Sequence, residues 1–317
     1  MPRITWPDLP VAVRAEVETI LGAPVVGHAS HPGGFSPGTA DRVTCTDGTA
    51  AFVKAVHPDL NPDSPAIHRA ELRVMRALPP GLPAPALLGG FERDGWVVLV
   101  LEYLDADHPV LPWTLGAFTP VLDAVLALSD RLTPSPLPLA PATAQCAAMW
   151  DGFARCLADP PGDLDPWVRE RLPALAARAD ASLAVLDGDS LCHFDLRADN
   201  VLMRRGEEPA AERVVVIDWP WAMAAARWLD AATLASELAA QGDPASIAAT
   251  DAVLERIASH CGVGTEPLVD TMVGLAAYTT WRSREPAPPG LPTLRAFQRQ
   301  LADGLTAWLK GTRLATW

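Results

Sequence analysis

The hydrophobic period of this chain changes once, near residue 104, and that change limits what it can fold into. Upstream, short apolar runs at 24–28, 39–44, 49–57, 86–92 and 96–103 read as strands. Asp47-Gly48 and Asp94-Gly95 read as tight hairpin turns between neighbouring runs. Residues 9–21 form an amphipathic helical pattern stopped by Gly22, and 65–78 form a second one ended by Pro79-Pro80. Downstream, helical spacing covers 114–132, 144–158, 166–186, 223–261, 266–284 and 292–310, with a proline-rich connector at 134–141 and two short strands at 200–205 and 213–218. The expectation is an α+β chain in two lobes. An N-terminal antiparallel β-sheet lobe with one inserted helix spans 1–103, a larger helical lobe spans 104–317, and the hinge falls at about 102–107.

Charge and cysteine usage exclude several classes. A net charge of −13 argues against a nucleic-acid partner. Cys45, Cys146, Cys156, Cys192 and Cys261 are odd in number and irregular in spacing, which predicts reduced thiols and not a disulfide frame or zinc site. The N-terminus carries no apolar leader core, and the strongest apolar run, 96–101, is too short to span a bilayer. These features predict a cytoplasmic protein, monomer or homodimer, with no membrane partner.

The segment 191–219 carries the chemistry. Asp195 and Asn200 stand five apart in a loop that runs into a strand, and Asp218 follows the apolar run Val214-Val215-Val216-Ile217. A hairpin here places Asn200 at the start of one strand and Asp218 at the end of its neighbour, so the two side chains can converge. A carboxylate and an amide oxygen are hard ligands suited to Mg²⁺. Asp195, just upstream, can then take a proton from an acceptor hydroxyl, the arrangement phosphoryl transfer needs. An isolated Asp in a loop is ordinarily a cap or turn residue. The joint pattern of acid, Asn, hairpin and strand-terminal acid is what argues for catalysis. His193 reads as a scaffold for the loop in preference to a catalytic group. A metal site from Cys192, His193 and Asp195 lacks partners at useful spacing. Arg197 either contacts phosphate or neutralises the carboxylates around it, and Asp199 reads as loop structure.

His193-x-Asp195-x-x-x-x-Asn200 followed by Ile217-Asp218-Trp219 resembles the catalytic and metal loops of the aminoglycoside phosphotransferase (phosphotransferase enzyme) family, which shares the protein-kinase fold. The resemblance runs through nearly the whole chain in lobe order. It implies Asp195 as catalytic base and Asn200 and Asp218 as magnesium ligands. It further implies a small-molecule kinase that moves the γ-phosphate of ATP or GTP to an alcohol. Trp219-Pro220 after Asp218, in place of the Phe-Gly of protein kinases, weakens any expectation of an activation-loop switch.

The upstream lobe supplies the phosphate anchor. Lys54 and Lys310 are the only lysines among 25 basic residues, and Lys54 lies in the apolar strand Ala50-Ala51-Phe52-Val53-Lys54-Ala55-Val56. A kinase-like fold puts there the ammonium that holds the α- and β-phosphates. The alternative is a lysine snorkelling from an edge strand. Glu71 is the only acid between residues 64 and 91, which makes it the partner expected for Lys54; pairing with a nearby Arg is the alternative. The loop 31–38, with Gly33, Gly34 and Gly38, is placed as a flap over the phosphates, and Ser36 either donates to a phosphate or only shapes the turn. Glu102, Tyr103 and Leu104 would form the hinge that meets the base, with nothing to separate ATP from GTP.

The acceptor is a small molecule with a free hydroxyl, set against the helical lobe. Asp230, Glu237, Asp270, Trp281 and Arg282, with Arg197, are the candidate lining residues. Asp230 has a helix-capping alternative, and Trp281 and Arg282 have core and surface ones. The acidic bias of this lobe is compatible with a polyamine sugar and equally with a neutral nucleoside, peptide or macrolide. The leading expectation is an antibiotic acceptor. The alternatives are a metabolic kinase of homoserine, choline or sugar type, and a nucleotide-binding pseudokinase, against which the retention of Lys54, Asp195, Asn200 and Asp218 argues.

Overall fold

Alternation along Ala50–Val56 builds the face on which the upstream site is laid. Ala51, Val53 and Ala55 are fully buried on one side of the strand, while Phe52 and Lys54 are half-buried on the other. The computed structural model describes residues 4–31, 37–288 and 292–314. It divides into two units, Met1–Asp107 with Val215–Trp221, and His108–Val214 with Ala222–Trp317.

In the first unit, β1 (Val25–Ser30), β2 (Thr39–Cys45), β3 (Ala50–Val56), β4 (Leu87–Arg93) and β5 (Trp96–Glu102) form one antiparallel sheet in the order β1-β2-β3-β5-β4. Helix α1 (Val11–Leu21) sets Val13 and Val17 beside Trp6 and Leu9 in one core with Val43, Val53, Val98 and Val100. Burying each of these valines stabilises the unit by roughly 1.5–3 kcal/mol. Helix α2 (Ser64–Ala77) packs against β3, β4 and β5. With helices packed on the sheet, Val97 to Leu101 are all buried and the apolar alternation of β5 is lost. Asp94 and Gly95 join β4 to β5 with φ of 47° and 84°, the pair of left-handed residues a type I′ turn requires. Gly38 precedes β2 where a Cβ would lie 2.2 Å from the Ala55 carbonyl oxygen. The two-residue strand β6 (Ala106–Asp107) ends the continuous part of this unit. The chain returns at Val215, where the Val216 N–H donates to the Pro83 carbonyl at 2.7 Å, so Asp218 belongs to the same unit as Lys54.

The second unit is helical: α3 (Leu115–Arg131), α4 (Ala142–Trp150), α5 (Gly152–Ala158), α6 (Pro166–Ser182), α7 (Leu229–Gln241), α8 (Pro244–Ala248), α9 (Thr250–Cys261), α10 (Glu266–Arg282) and α11 (Leu294–Gly311). Helix α10 packs against α4, α5, α6, α7 and α11, which is why it is apolar on most of its circumference. Strands β7 (Ser190–Cys192), β8 (Val201–Arg204) and β10 (Met223–Ala225) interrupt the helices, and β9 (Val214–Val216) begins on the last residue before the chain returns to the first unit.

The helical pattern at 223–261 is corrected at its start and broken midway, and it ends at Cys261 as expected. Met223–Ala225 is a strand paired antiparallel with Ser190–Cys192, because the ladder Met223 to Cys192 and Ala224 to Leu191 satisfies backbone groups that alanine propensity alone would have placed in a helix. Further on, Asp243 caps α8 by accepting the Ser246 N–H at 2.7 Å, and Pro244 begins the new helix, so α7 stops. All five cysteines are free thiols. Among the described residues, no helix is long and apolar enough to cross a membrane.

Candidate active site

The loop after β7 hangs from a buried carboxylate. Asp230, second residue of α7, accepts the His193 N–H at 2.7 Å and the Phe194 N–H at 2.8 Å, one on each carboxylate oxygen. It is only 4% exposed. Burial raises its pKa, while His193 and the two N–H groups pull the other way. Asp230 is therefore corrected from acceptor-lining residue to anchor of the loop. Phe194 holds φ of 69°, a left-handed conformation that costs a side-chain-bearing residue about 1–2 kcal/mol. The His193 Nδ1 accepts the Asp195 N–H at 3.2 Å, which puts the ring proton on Nε2 and makes the imidazole a support for the loop.

Asp195 is fixed from two directions. The Asn200 Nδ2 donates to the Asp195 carbonyl at 2.8 Å and to its carboxylate at 3.1 Å. The Arg197 Nε stands 3.2 Å from the other carboxylate oxygen, while Nη2 reaches Asp199 at 3.1 Å. The Arg197 guanidinium also lies 5.4 Å from the centre of the Phe297 ring. The amide nitrogen of Asn200 is thus turned to Asp195, and its carbonyl oxygen is the end that can meet a cation. Below the loop, Glu237 accepts the Ala198 N–H at 3.2 Å and the Gln241 side-chain amide at 2.9 Å. Burial pushes its pKa up to about 7 against the Ala198 amide and Arg197. At 3% exposure it supports the loop from beneath, and this replaces its expected place on the acceptor surface.

In the first unit, the Lys54 Nζ donates to both oxygens of Glu71, at 2.7 and 2.9 Å, and to Asp218 at 2.7 Å. Burial alone would lower the Lys54 pKa; Asp218 and Glu71 overcome it and hold the ammonium above the usual lysine range. Burial raises the pKa of Glu71, with Lys54 opposing. Asp218 has φ of 68°. His68, not singled out in the sequence, sits buried nearby with its Nδ1 3.0 Å from the Ser64 carbonyl. Burial, with Lys54 adding to it, lowers its pKa to about 4, so it is neutral at pH 7.

The remaining nucleotide-side residues divide. Gly33, Gly34 and Ser36 lie outside the described residues. The Glu102 N–H donates to the Ala86 carbonyl at 2.8 Å, and its side chain accepts the Ala86 N–H at 3.1 Å. Tyr103 and Leu104 follow it, both half-buried. Phe52, two residues before Lys54, shares its face of the sheet; the period-two spacing could have flagged it.

On the helical side, Asp270 is ion-paired to Arg178 at 2.5 Å between α10 and α6, which corrects it from acceptor residue to helix-packing residue. The Trp281 Nε1 donates to Glu285 at 3.1 Å, and the ring lines a cavity of about 200 Å³ with Asp159, Pro161 and Arg284. Arg282 meets Glu285 at 2.6 Å and lies 5.9 Å from the Tyr278 ring, one helical turn back on α10. Tyr278 and Phe297 were missed in the sequence. Burial raises the Tyr278 pKa, with the Arg282 and Arg295 cations opposing and Asp195 adding to the rise.

Among the described residues, no group of three or more His, Cys, Asp or Glu side chains could hold a metal. Single oxygen donors such as Asn200 and Asp218 suit Mg²⁺, which keeps water and phosphate oxygens around one or two protein ligands.

The sequence profile of the phosphotransferase enzyme family matches residues 29–260, and the chain belongs to that family. It is a small-molecule phosphotransferase with a hydroxyl acceptor. No curated protein sequence matches it. Among solved structures, a thermostable mutant of aminoglycoside phosphotransferase APH(4)-Ia, in ternary complex with ADP and hygromycin B, is 14% identical with TM-score 0.59, over 96% of this chain and 100% of that one. A putative fructosamine-3-kinase from Haemophilus somnus is 11% identical with TM-score 0.53, over 94% and 96%. An amicoumacin kinase in complex with AMP-PNP, Ca²⁺ and Ami is 12% identical with TM-score 0.50, over 92% and 95%. At these identities the likeness is one of fold: α+β and kinase-like.

Proposed function

We propose that the protein moves the γ-phosphate of ATP or GTP to a hydroxyl of an antibiotic, with Asp195 as the base. The observation that carries this reading is the loop itself: a carboxylate held by Asn200 and Arg197, on a backbone hung from Asp230. In the reaction, the acceptor hydroxyl gives its proton to Asp195 as its oxygen bonds to the γ-phosphorus. The bond from that phosphorus to the β–γ bridging oxygen breaks, and the nucleoside diphosphate leaves. Lys54, placed by Glu71, holds the α- and β-phosphates, and its place beside Asp218 supports this. Asn200 and Asp218 would hold Mg²⁺, which when bound neutralises charge on the phosphates. Tyr103 and Leu104 would meet the base, and Gly33, Gly34 and Ser36 would cover the phosphates.

An antibiotic acceptor is supported by the names of two of the solved relatives, the aminoglycoside phosphotransferase and the amicoumacin kinase. The fructosamine-3-kinase relative supports the second reading, a metabolic kinase. A nucleotide-consumption screen over both compound classes, with mass spectrometry for a phosphate-sized gain, separates the two. Turnover of a common metabolite with none of the antibiotics would reject the first reading. The odd number and irregular spacing of the cysteines support a cytoplasmic enzyme.

A further inference from the structure

One cation on the Lys54 face has no hydrogen-bond acceptor among the described residues. The Arg42 guanidinium makes no hydrogen bond or ion pair with a described residue, and its Nε is buried without an acceptor. An aromatic ring lies against it: Cζ is 4.4 Å from the centre of the Tyr103 ring. An unpartnered guanidinium in a half-buried place is costly unless something else supplies acceptors.

The sheet register says where on a nucleotide that something would be. Ala40 stands opposite Lys54, and Arg42 stands opposite Phe52. Cross-strand partners share a face, so Arg42 and Phe52 sit together, one two-residue step of about 7 Å from Lys54. His31 closes the place, with its ring 5.4 Å from Phe52 and 6.2 Å from Tyr103. Three rings and a guanidinium therefore gather one strand step from the phosphate anchor. That is the level of a base, not of the phosphates.

On the reading that the Lys54 face holds the donor nucleotide, we infer that Arg42 reads the purine and makes the enzyme prefer GTP. Guanine offers two adjacent acceptors, O6 and N7, to the guanidinium fork. Adenine offers N7 beside an amino donor, which meets an N–H of the fork donor to donor. The aromatic rings accept either purine, so the discrimination falls on Arg42.

The test needs no acceptor substrate. Calorimetric dissociation constants are measured with Mg²⁺ for the β,γ-imido analogues of GTP and ATP, on the wild type, Arg42→Ala and Arg42→Lys. The wild type is expected to bind the GTP analogue about tenfold or more tighter. Arg42→Ala should bring the ratio close to one by weakening the GTP analogue alone. Arg42→Lys, which keeps the charge but not the fork, should lose most of the preference. Equal or tighter binding of the ATP analogue by the wild type overturns the inference without touching the nucleotide reading, and so does an unchanged ratio in a folded Arg42→Ala. If neither analogue binds the wild type, the nucleotide reading fails and the inference with it.

Discussion

The Asp230 carboxylate accepts the backbone N–H of His193 at 2.7 Å, and its second oxygen takes the next N–H, that of Phe194. The loop that presents Asp195 is therefore tied to α7 through its main chain. Asp230→Asn leaves one buried N–H without an acceptor and should cost about 1–3 kcal/mol; Asp230→Ala orphans both and should cost more. Denaturant unfolding measures this. Turnover should fall in both variants, while nucleotide affinity stays near that of wild type.

The same tie holds Phe194 at φ 69°. Glycine adopts that backbone without strain and alanine does not. Phe194→Gly should be more stable than Phe194→Ala by about 1 kcal/mol, despite the greater unfolded-state freedom of glycine. The reverse order in thermal unfolding would mean that the loop relaxes out of the left-handed region.

How much of this was readable beforehand depends on the range of the interaction. The Lys54–Glu71 pair was legible because the chain uses only two lysines and has a single acid between residues 64 and 91. The five strands of the sheet were legible from apolar runs punctuated by Asp-Gly turns. Asp230, Glu237 and Asp270 were not. Each is a carboxylate on a helix, and only the packing of that helix decides whether it faces solvent, a loop amide or an arginine. The strand Met223–Ala225 is hidden for a similar reason, since its partner lies some thirty residues upstream at 190–192.

The Lys54–Glu71 pair should behave as a coupled unit. Lys54→Met leaves the Glu71 carboxylate buried and unpaired, which should cost about 3–5 kcal/mol. In a Glu71→Gln background the same change should cost less by about 1–3 kcal/mol. Additive effects in this double-mutant cycle would mean that the two residues do not share a charge interaction.

Glu237 makes stability depend on pH. Its pKa stands at about 7 in the fold against an ordinary value of 4.5. The native state binds more protons between those values, so this contribution is complete below about pH 4.5 and is lost as pH rises through 7. Its size is on the order of 3 kcal/mol. Glu237→Gln keeps an acceptor for Ala198 and cannot titrate, so its stability should fall less than that of wild type between pH 5 and 8. Parallel curves for the two proteins would remove Glu237 from this role.

Asp195 is proposed as the base for phosphoryl transfer to a hydroxyl. The direct measurement is transfer of labelled γ-phosphate to the best acceptor from the substrate screen, by wild type and by Asp195→Ala, with nucleotide affinity measured on both. Transfer should fall by about 10²–10⁴-fold in Asp195→Ala while nucleotide affinity is retained. Near-wild-type transfer by a folded Asp195→Ala would contradict the account.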